Sequence, residues 1–559
     1  MKVFGGVNLI FLLIFLMPAA SGLRGQGFIS FDLFPEEFET TISLTAPCWK
    51  LASIPQKQPE LFPEAAVAEG CTAGYNRAWL SWFIIDPLFY TNARPPNVTL
   101  GQLSEHQVRR VFSYELLSDK FNQNRELFYP DIFNLAYYPS RRGPYNYDAN
   151  NQPLYAAGVT SEGHLLTPES RWGGIMGKIP APELFTKRDI RYIEFWLMDP
   201  FMNGQESGGT LYFNLGDISE DITPDSLPFN ESALPTPGCS IDVTWTAWGR
   251  VPTVAAGQNV FDCWWDRENP QMQDVGYDGL ADEAEVIFFD EYLQHLAQLH
   301  GDTSQAYLQA IADPSSDNYH HYRGDDYDWD INYESILQKY NRYNGFEGNT
   351  HDLQTSYSTR ATNEPDNEDI NNDEVSSRAE NYFQYKIPLH PDQMTAGQNF
   401  ISEARHVQGL PLPNQSIGEV YWYRFRIPLT DYEKVVGDIQ DFSAIKFVRL
   451  FLKDFQEPVV LRFGTLDFVE INQNPENLKV NIAPNPAKNL VRILFPKAIY
   501  QMFWIDIYDH VGRLVYHKKY FPSVYLEVDI DSSTFDPGLY IVQLSNSRYE
   551  YITKLIIAK

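Results

Sequence analysis

Two decapeptides far apart in the chain limit what it can fold into. Ile190–Asp199 (IRYIEFWLMD) and Ile445–Asp454 (IKFVRLFLKD) both alternate large apolar with polar side chains. A strand points successive side chains to opposite faces, so this is the period of a half-buried strand. Each leads into a second strand, ending at Leu215-Gly216 and at Phe463-Gly464. Each also has an aromatic segment upstream, Trp172 in one case and Trp422–Ile427 in the other. The echo predicts two related jelly-roll-like β-sandwiches, one before about residue 250 and one after about residue 350. Aromatics at 15%, with 37 Pro and 34 Gly, favour sheets and structured loops over helical bundles.

Between the two halves the period changes. In Glu283–Leu299 the apolar residues Val286, Phe289, Leu293, Leu296 and Leu299 recur every three or four positions, one face of an amphipathic helix. Gln305–Ile311 predicts a second short helix. The aromatic and acidic run Tyr319–Asp330 reads as a structured loop that packs its rings on that helical piece. At the N-terminus, Lys2, the apolar run Leu9–Met17 and the small residues after Pro18 read as a signal peptide, too short to span a bilayer. The expected division is 1–22 signal peptide, 23–109 disulfide-containing segment, 110–250 first sandwich, 251–345 connector, 346–472 second sandwich and 473–559 a C-terminal β-sandwich.

Net charge is 43 − 73 = −30. An acidic surface repels phosphate backbones, which argues against nucleic-acid binding, and suits divalent cations. No segment after the signal peptide approaches a membrane span, so an integral membrane protein is not expected. The four cysteines, Cys48, Cys71, Cys239 and Cys263, read as disulfides in an exported chain. Three pairings are open, and proximity favours Cys48–Cys71 and Cys239–Cys263.

The tail carries four separated motifs: Val480–Pro486 (VNIAPNP), Ile505–Arg513 (IDIYDHVGR), Asp536–Tyr540 (DPGLY) and Lys554–Lys559 (KLIIAK). Alternating strands, an Asp509/Gly512 turn and Pro537-Gly538 turn chemistry predict a small immunoglobulin-like sandwich. In this order the motifs resemble the type A C-terminal sorting domain of the type IX secretion system. The matching positions are Pro484, Asn485, Pro486, Asp509, Gly512, Gly538, Tyr540 and Lys554. The resemblance implies a cargo carried through the periplasm to the cell surface or beyond, with the translocon and its sorting machinery as partners.

Residues from about 110 to 470 carry further phrases. Among them are Arg171–Met176 (RWGGIM), Leu211–Ile222 (LYFNLGDISEDI), Gln273–Leu280 (QDVGYDGL), Asp313–Tyr319 (DPSSDNY) and Glu368–Asn371 (EDIN). They resemble the soluble region of the SprA family of gliding-motility and secretion proteins. That family's giant membrane barrel has no room in this chain, so the resemblance implies the soluble fold and a surface location, not the pore.

Two acidic segments have calcium-loop spacing. In the first, Asp274, Asp278, Leu280, Asp282 and Glu285 fall at positions 1, 5, 7, 9 and 12 of a twelve-residue loop, with Gly279 at the turn. Such spacing lets one loop wrap oxygens around one ion. Position 3 is Gly276, which supplies no ligand, and the competing reading is acids capping a helix that begins near Asp282. In the second, Asp369, Asn371, Asp373, Val375 and Glu380 fill positions 1, 3, 5, 7 and 12, against the simpler reading of a solvated acidic loop. Bound calcium is the expected cofactor. No nucleophile elbow, zinc helix or phosphate loop is present, and no enzyme is expected. The sequence reads as a surface binding or assembly protein linked to adhesion, gliding or the translocon, with an outer-membrane protein or glycan as partner. The alternative is a carbohydrate-binding or carbohydrate-cleaving surface protein that uses a jelly-roll face.

Overall fold

The computed structural model describes residues 37–41, 49–67, 70–116, 129–149, 154–179, 182–187, 190–202, 204, 207–231, 242–252, 275–330, 332, 335–345, 366–471, 480–499, 503–520, 525–545 and 550–558. The signal-peptide reading falls outside them. The N-terminal strands are β1 (Glu37–Thr41), β2 (Trp49–Leu51) and β3 (Ala78–Ile84). Next come β4 (Phe133–Arg142), β5 (Trp172–Lys178), β6 (Ile190–Met198) and β7 (Gly209–Ile218), then the short hairpin β8 (Val243–Trp245) and β9 (Arg250–Pro252). Beyond the helices lie β10 (Glu380–Leu389), β11 (Ile401–Pro411), β12 (Ile417–Pro428), β13 (Lys434–Val436), β14 (Phe447–Lys453) and β15 (Val459–Ile471).

These strands build one sandwich. The first sheet runs β11-β12-β6-β15-β4-β3, with β1 also paired to β15, and the second runs β13-β10-β7-β14-β5-β2. The pairings are antiparallel. The sheets share a core, where Phe195 of β6 stacks on Phe213 of β7 at 5.6 Å and Trp49 of β2 on Phe133 of β4 at 5.8 Å.

The expectation of one sandwich per segment is therefore corrected. β6 lies between β12 and β15, and β14 between β7 and β5, so each sheet mixes strands from 110–250 with strands from 346–472. Residues 23–109 add β1, β2 and β3 to the same two sheets. Burial explains why. All seven residues of β14 are buried, and on β6 everything from Ile193 to Met198 is buried. A strand buried on both faces keeps its backbone N–H and C=O groups from water, so both edges are paired, and for β6 and β14 those partners come from distant segments. The mainly β class stands.

The connector is helical, as its period indicates, but the predicted single helix is two, Asp282–Phe288 and Asp290–His300, followed by Gln305–Ala312. The break is Phe289, whose ring stacks on Tyr147 at 4.1 Å and so ties the helices to the loop after β4. Rings of the 319–343 region stack among themselves, Tyr322 on Tyr340 at 4.6 Å. No helix among the described residues is long and apolar enough to cross a membrane.

The tail is a second sandwich. β16 (Asn481–Ala483), β17 (Leu490–Ile499) and β20 (Tyr525–Asp531) form one sheet. β18 (Phe503–Tyr508), β19 (Leu514–Tyr520), β21 (Gly538–Ser545) and β22 (Glu550–Ile557) form the other. Its core, from Val480 to Ile557, is a cluster separate from that of the main sandwich.

Candidate metal centre and sorting motif

The first acidic segment folds into a tight loop ahead of the helix Asp282–Phe288. Gly276 and Gly279 take left-handed backbone angles, φ +69° and +70°, that side chains with a Cβ rarely adopt. Asp278 is thereby turned inward, 1% exposed, with its Oδ1 accepting from Leu280 N at 2.9 Å. One helical turn on, Glu285 points the same way and is also 1% exposed.

A second segment meets it. Asp313 and Asp317 flank a Pro-Ser-Ser turn in which Asp317 N donates to Asp313 Oδ1 at 3.1 Å. Ser315 joins the two segments: its N donates to Glu285 Oε2 at 2.9 Å, and its hydroxyl donates to Asp278 Oδ2. Asn318 Nδ2 donates to Asp282 Oδ1 at 2.9 Å. The result is two overlapping triads, Asp278–Glu285–Asp317 and Asp282–Glu285–Asp313, with the candidate ligand oxygens of each triad within 4.8 Å of one another.

The electrostatics are those of negative charge confined in a dry place. Burial pushes Asp278 well above the usual carboxylate range, and Asp317 adds repulsion. Burial does the same to Asp317, with Glu285 and Asp313 beside it, and to Glu285, with Asp278 beside it. Asp282 is also raised, first by burial. Among the described residues no ion pair reaches any of the five; Arg142 donates instead to the backbone carbonyls of Pro314 (2.6 Å) and Asp313.

Of the predicted ligands, Asp278, Asp282 and Glu285 are brought together, and Asp274 lies outside the described residues. Leu280 is buried beside them and engages through its N–H. Sequence reasoning missed Asp313 and Asp317, since loop spacing finds ligands only within one segment; their four-residue spacing across Pro-Ser-Ser was the available signal. Gly276, ligandless at position 3, marks the room for Asp317: a Cβ there would lie 1.9 Å from Asp317 Oδ2.

The second segment does not close into a loop of ligands. Asp369 accepts from the N–H groups of Asp373 and Glu374, both at 2.9 Å, and Asp373 accepts from Val375 N at 3.0 Å. Asn371 Oδ1 takes a further bond from Asp373 N, and Val375 is exposed. Glu380 begins β10 and faces Arg449, away from any such set. The local acids serve backbone instead: Glu220 accepts from Ile370, Asn371 and Ser377, and Glu368 from Ile222, Thr223 and Phe229. Two of the family-like phrases thus meet in space as reciprocal loop clamps.

Cys71 is a free thiol, its Sγ 3.1 Å from the carbonyl of Ala247. Cys48, Cys239 and Cys263 lie outside the described residues.

In the tail, the motif residues close the sandwich. Between Pro484 and Pro486, Asn485 Nδ2 donates to Lys554 O and its Oδ1 accepts from Ile556 N, both at 2.9 Å, which clips the first strand's end to the last strand. Asp509 Oδ1 accepts from Val511 and Arg513 N–H groups around Gly512, at φ +84°. After Gly538 starts β21, the Tyr540 hydroxyl donates to Asp536 O at 2.9 Å.

Residues 291–491 match a family of motility related/secretion proteins, the SprA N-terminal type, and residues 481–558 match the secretion system C-terminal sorting domain. The first match begins in the helical connector and takes in β10 to β15; the phrases between 110 and 280 lie upstream of it. No curated protein matches the chain. Among solved structures, a Faecalibacterium prausnitzii β-glucuronidase is similar over 28% of this chain and 32% of that one, at 11% identity and a TM-score of 0.12, too low to indicate a shared fold. The chain spans about a third of that enzyme's length. The sorting domain marks the chain for export across the outer membrane to the cell surface or extracellular space. The chain thus joins an SprA-type motility and secretion region to a type IX secretion C-terminal sorting domain.

Proposed function

We propose that the exported body is a non-catalytic surface component that assembles with another envelope protein in adhesion, gliding or secretion. One observation carries this reading: the tryptophans on the strands of the two large sheets are buried, and the exposed Trp245 and Trp329 lie outside those sheets. Trp49, Trp79, Trp82, Trp172 and Trp422 are each no more than 1% exposed. A groove that grips or cleaves sugar sets such rings at its surface beside free carboxylates. Here two buried acids, Glu194 on β6 and Glu115 on a short helix, turn to arginines. Glu194 lies 2.6 Å from Arg424 and 2.7 Å from Arg426, and Glu115 lies 2.6 Å from Arg109. A carboxylate fixed between guanidinium groups is poorly suited to exchange a proton with a substrate.

The test is a strain lacking the gene, with and without the full chain restored. Loss and recovery of adhesion or gliding, with no polysaccharide hydrolysis by the purified protein, is the expected result. Hydrolysis by the purified protein overturns the reading.

A further inference from the structure

We propose that Asp278, Asp282, Glu285, Asp313 and Asp317 hold a calcium ion, with Glu285 the ligand shared by both triads. The site differs from the single twelve-residue loop that spacing suggests, because its ligands come from two segments on either side of the helices. All five side chains offer oxygen only, which selects a hard cation. Calcium takes six to eight oxygens in flexible geometry, whereas magnesium holds a compact octahedron and keeps several waters. Five protein carboxylates in a largely dry recess fit the first.

Clustered acids alone would not carry this. Asp317 does: it is 7% exposed, its Oδ2 has no hydrogen bond of ordinary geometry although the Tyr145 hydroxyl, which accepts from Tyr277 N, lies nearby, and it belongs to the Asp278–Glu285–Asp317 triad. A buried carboxylate oxygen without a donor is costly unless a proton or a cation meets it. Hydrogen bonds to Asp282, Glu285 and Asp313 each fall on one oxygen and leave the other. The main sandwich pairs arginines with acids elsewhere, Glu380 with Arg449 and Asp148 with Arg171, and among the described residues no arginine forms an ion pair with these five.

The position gives the ion a role. Ser315 O accepts from Tyr145 N at 2.7 Å, and Arg142, at the end of β4, holds the carbonyls of Asp313 and Pro314. Bound calcium would therefore fasten the start of the helical connector to a loop already fixed to the sandwich. Binding to the folded state alone stabilises it by mass action.

The test compares the full-length purified protein in millimolar calcium and in chelator at neutral pH. Calcium is expected to raise the melting temperature by about 5 °C. It is also expected to suppress limited proteolysis within residues 275–330. Asp317→Asn and Glu285→Gln should each remove the calcium response while melting in chelator near the wild-type temperature, since the amide keeps the shape of the side chain it replaces. Identical melting and cleavage of the wild type in calcium and chelator overturns the proposal, whatever the variants do. A full calcium response in both variants overturns it too.

Discussion

Arg449 meets Glu380 with both arms of its guanidinium: Nη1 lies 3.1 Å from Oε1 and Nη2 3.0 Å from Oε2, and both side chains are almost wholly buried. The pair links β14 to β10 across β7, the strand between them. Ser219 N and Gln56 N also donate to the carboxylate, and Arg449 reaches Ser53. Removing one partner leaves an uncompensated buried charge. Arg449→Met is therefore expected to cost about 3–5 kcal/mol in denaturant unfolding. The double replacement Arg449→Met with Glu380→Leu should recover most of that loss, because the buried charge leaves with its partner. Equal losses in the single and double variants would show that packing, not charge, sets the cost.

The same pair shows what the sequence could and could not tell. Glu380 sits twelve positions into a plausible calcium loop, and nothing local reveals that an arginine 69 residues later takes both its oxygens. Local pattern was enough for the strands: the alternation at Ile190 and Ile445 falls on β6 and β14, and the 3.6 period on the connector helices. Pairing partners were not legible. The two echoing decapeptides look alike because both are central strands, and likeness suggested two copies of a module where the chain builds two sheets of one. Asp313 and Asp317 escaped for the same reason, since a cluster drawn from two segments has no single spacing. The turns of the tail were read most fully, because they act over short distances: Asp509 and Gly512 make one turn, and Tyr540 reaches only to Asp536, whereas the reach of Asn485 to Lys554 and Ile556 was not legible.

Acid should weaken the sandwich through His106. Its Nε2 lies 2.7 Å from Asp199 O, and burial, aided by Arg462 and Arg109, lowers its pKa to about 4. The folded value is below the unfolded value of about 6.5, so the fold prefers the neutral ring. That contribution is complete above pH ~6.5 and is lost as pH falls towards 4. By pH ~4.5 the loss amounts to about 2 kcal/mol. His106→Gln has no ring to protonate. Urea unfolding at pH ~7.5 and ~4.5 should show the wild type losing about 2 kcal/mol more than this variant. Parallel losses would mean that His106 takes up its proton as readily in the fold as in the unfolded chain.

Asn485 should matter to export through the sorting domain's own stability. Its amide makes two bonds to the backbone of the last strand, at Lys554 and Ile556. Asn485→Ala removes both and is expected to cost about 1–2 kcal/mol. Asn485→Asp keeps the acceptor for Ile556 N but sets a second oxygen against the Lys554 carbonyl, and should not restore stability. In cells, the alanine variant is expected to accumulate in the periplasm while surface display falls, measured by protease accessibility of intact cells. Deleting residues 480–559 should abolish display and leave the body folded, because the two cores are separate. Normal display of the truncated chain would remove the tail's role as an address.

Gly276 gives the sharpest test of how the acidic centre is built. Alanine there meets two obstacles: a left-handed φ of +69°, and a Cβ that would lie 1.9 Å from Asp317 Oδ2. Gly70 offers the control, because it has a φ of +63° and nothing within 4 Å of the added carbon. A positive-φ penalty of about 1 kcal/mol applies at both positions. Only Gly276→Ala must also displace the Asp317 carboxylate, which is held between the two segments. Gly276→Ala is therefore expected to melt below Gly70→Ala in chelator, and calcium should raise the melting temperature of Gly70→Ala alone. If both variants respond to calcium as the wild type does, Asp317 can leave the cluster without consequence, and the two-segment site is wrong.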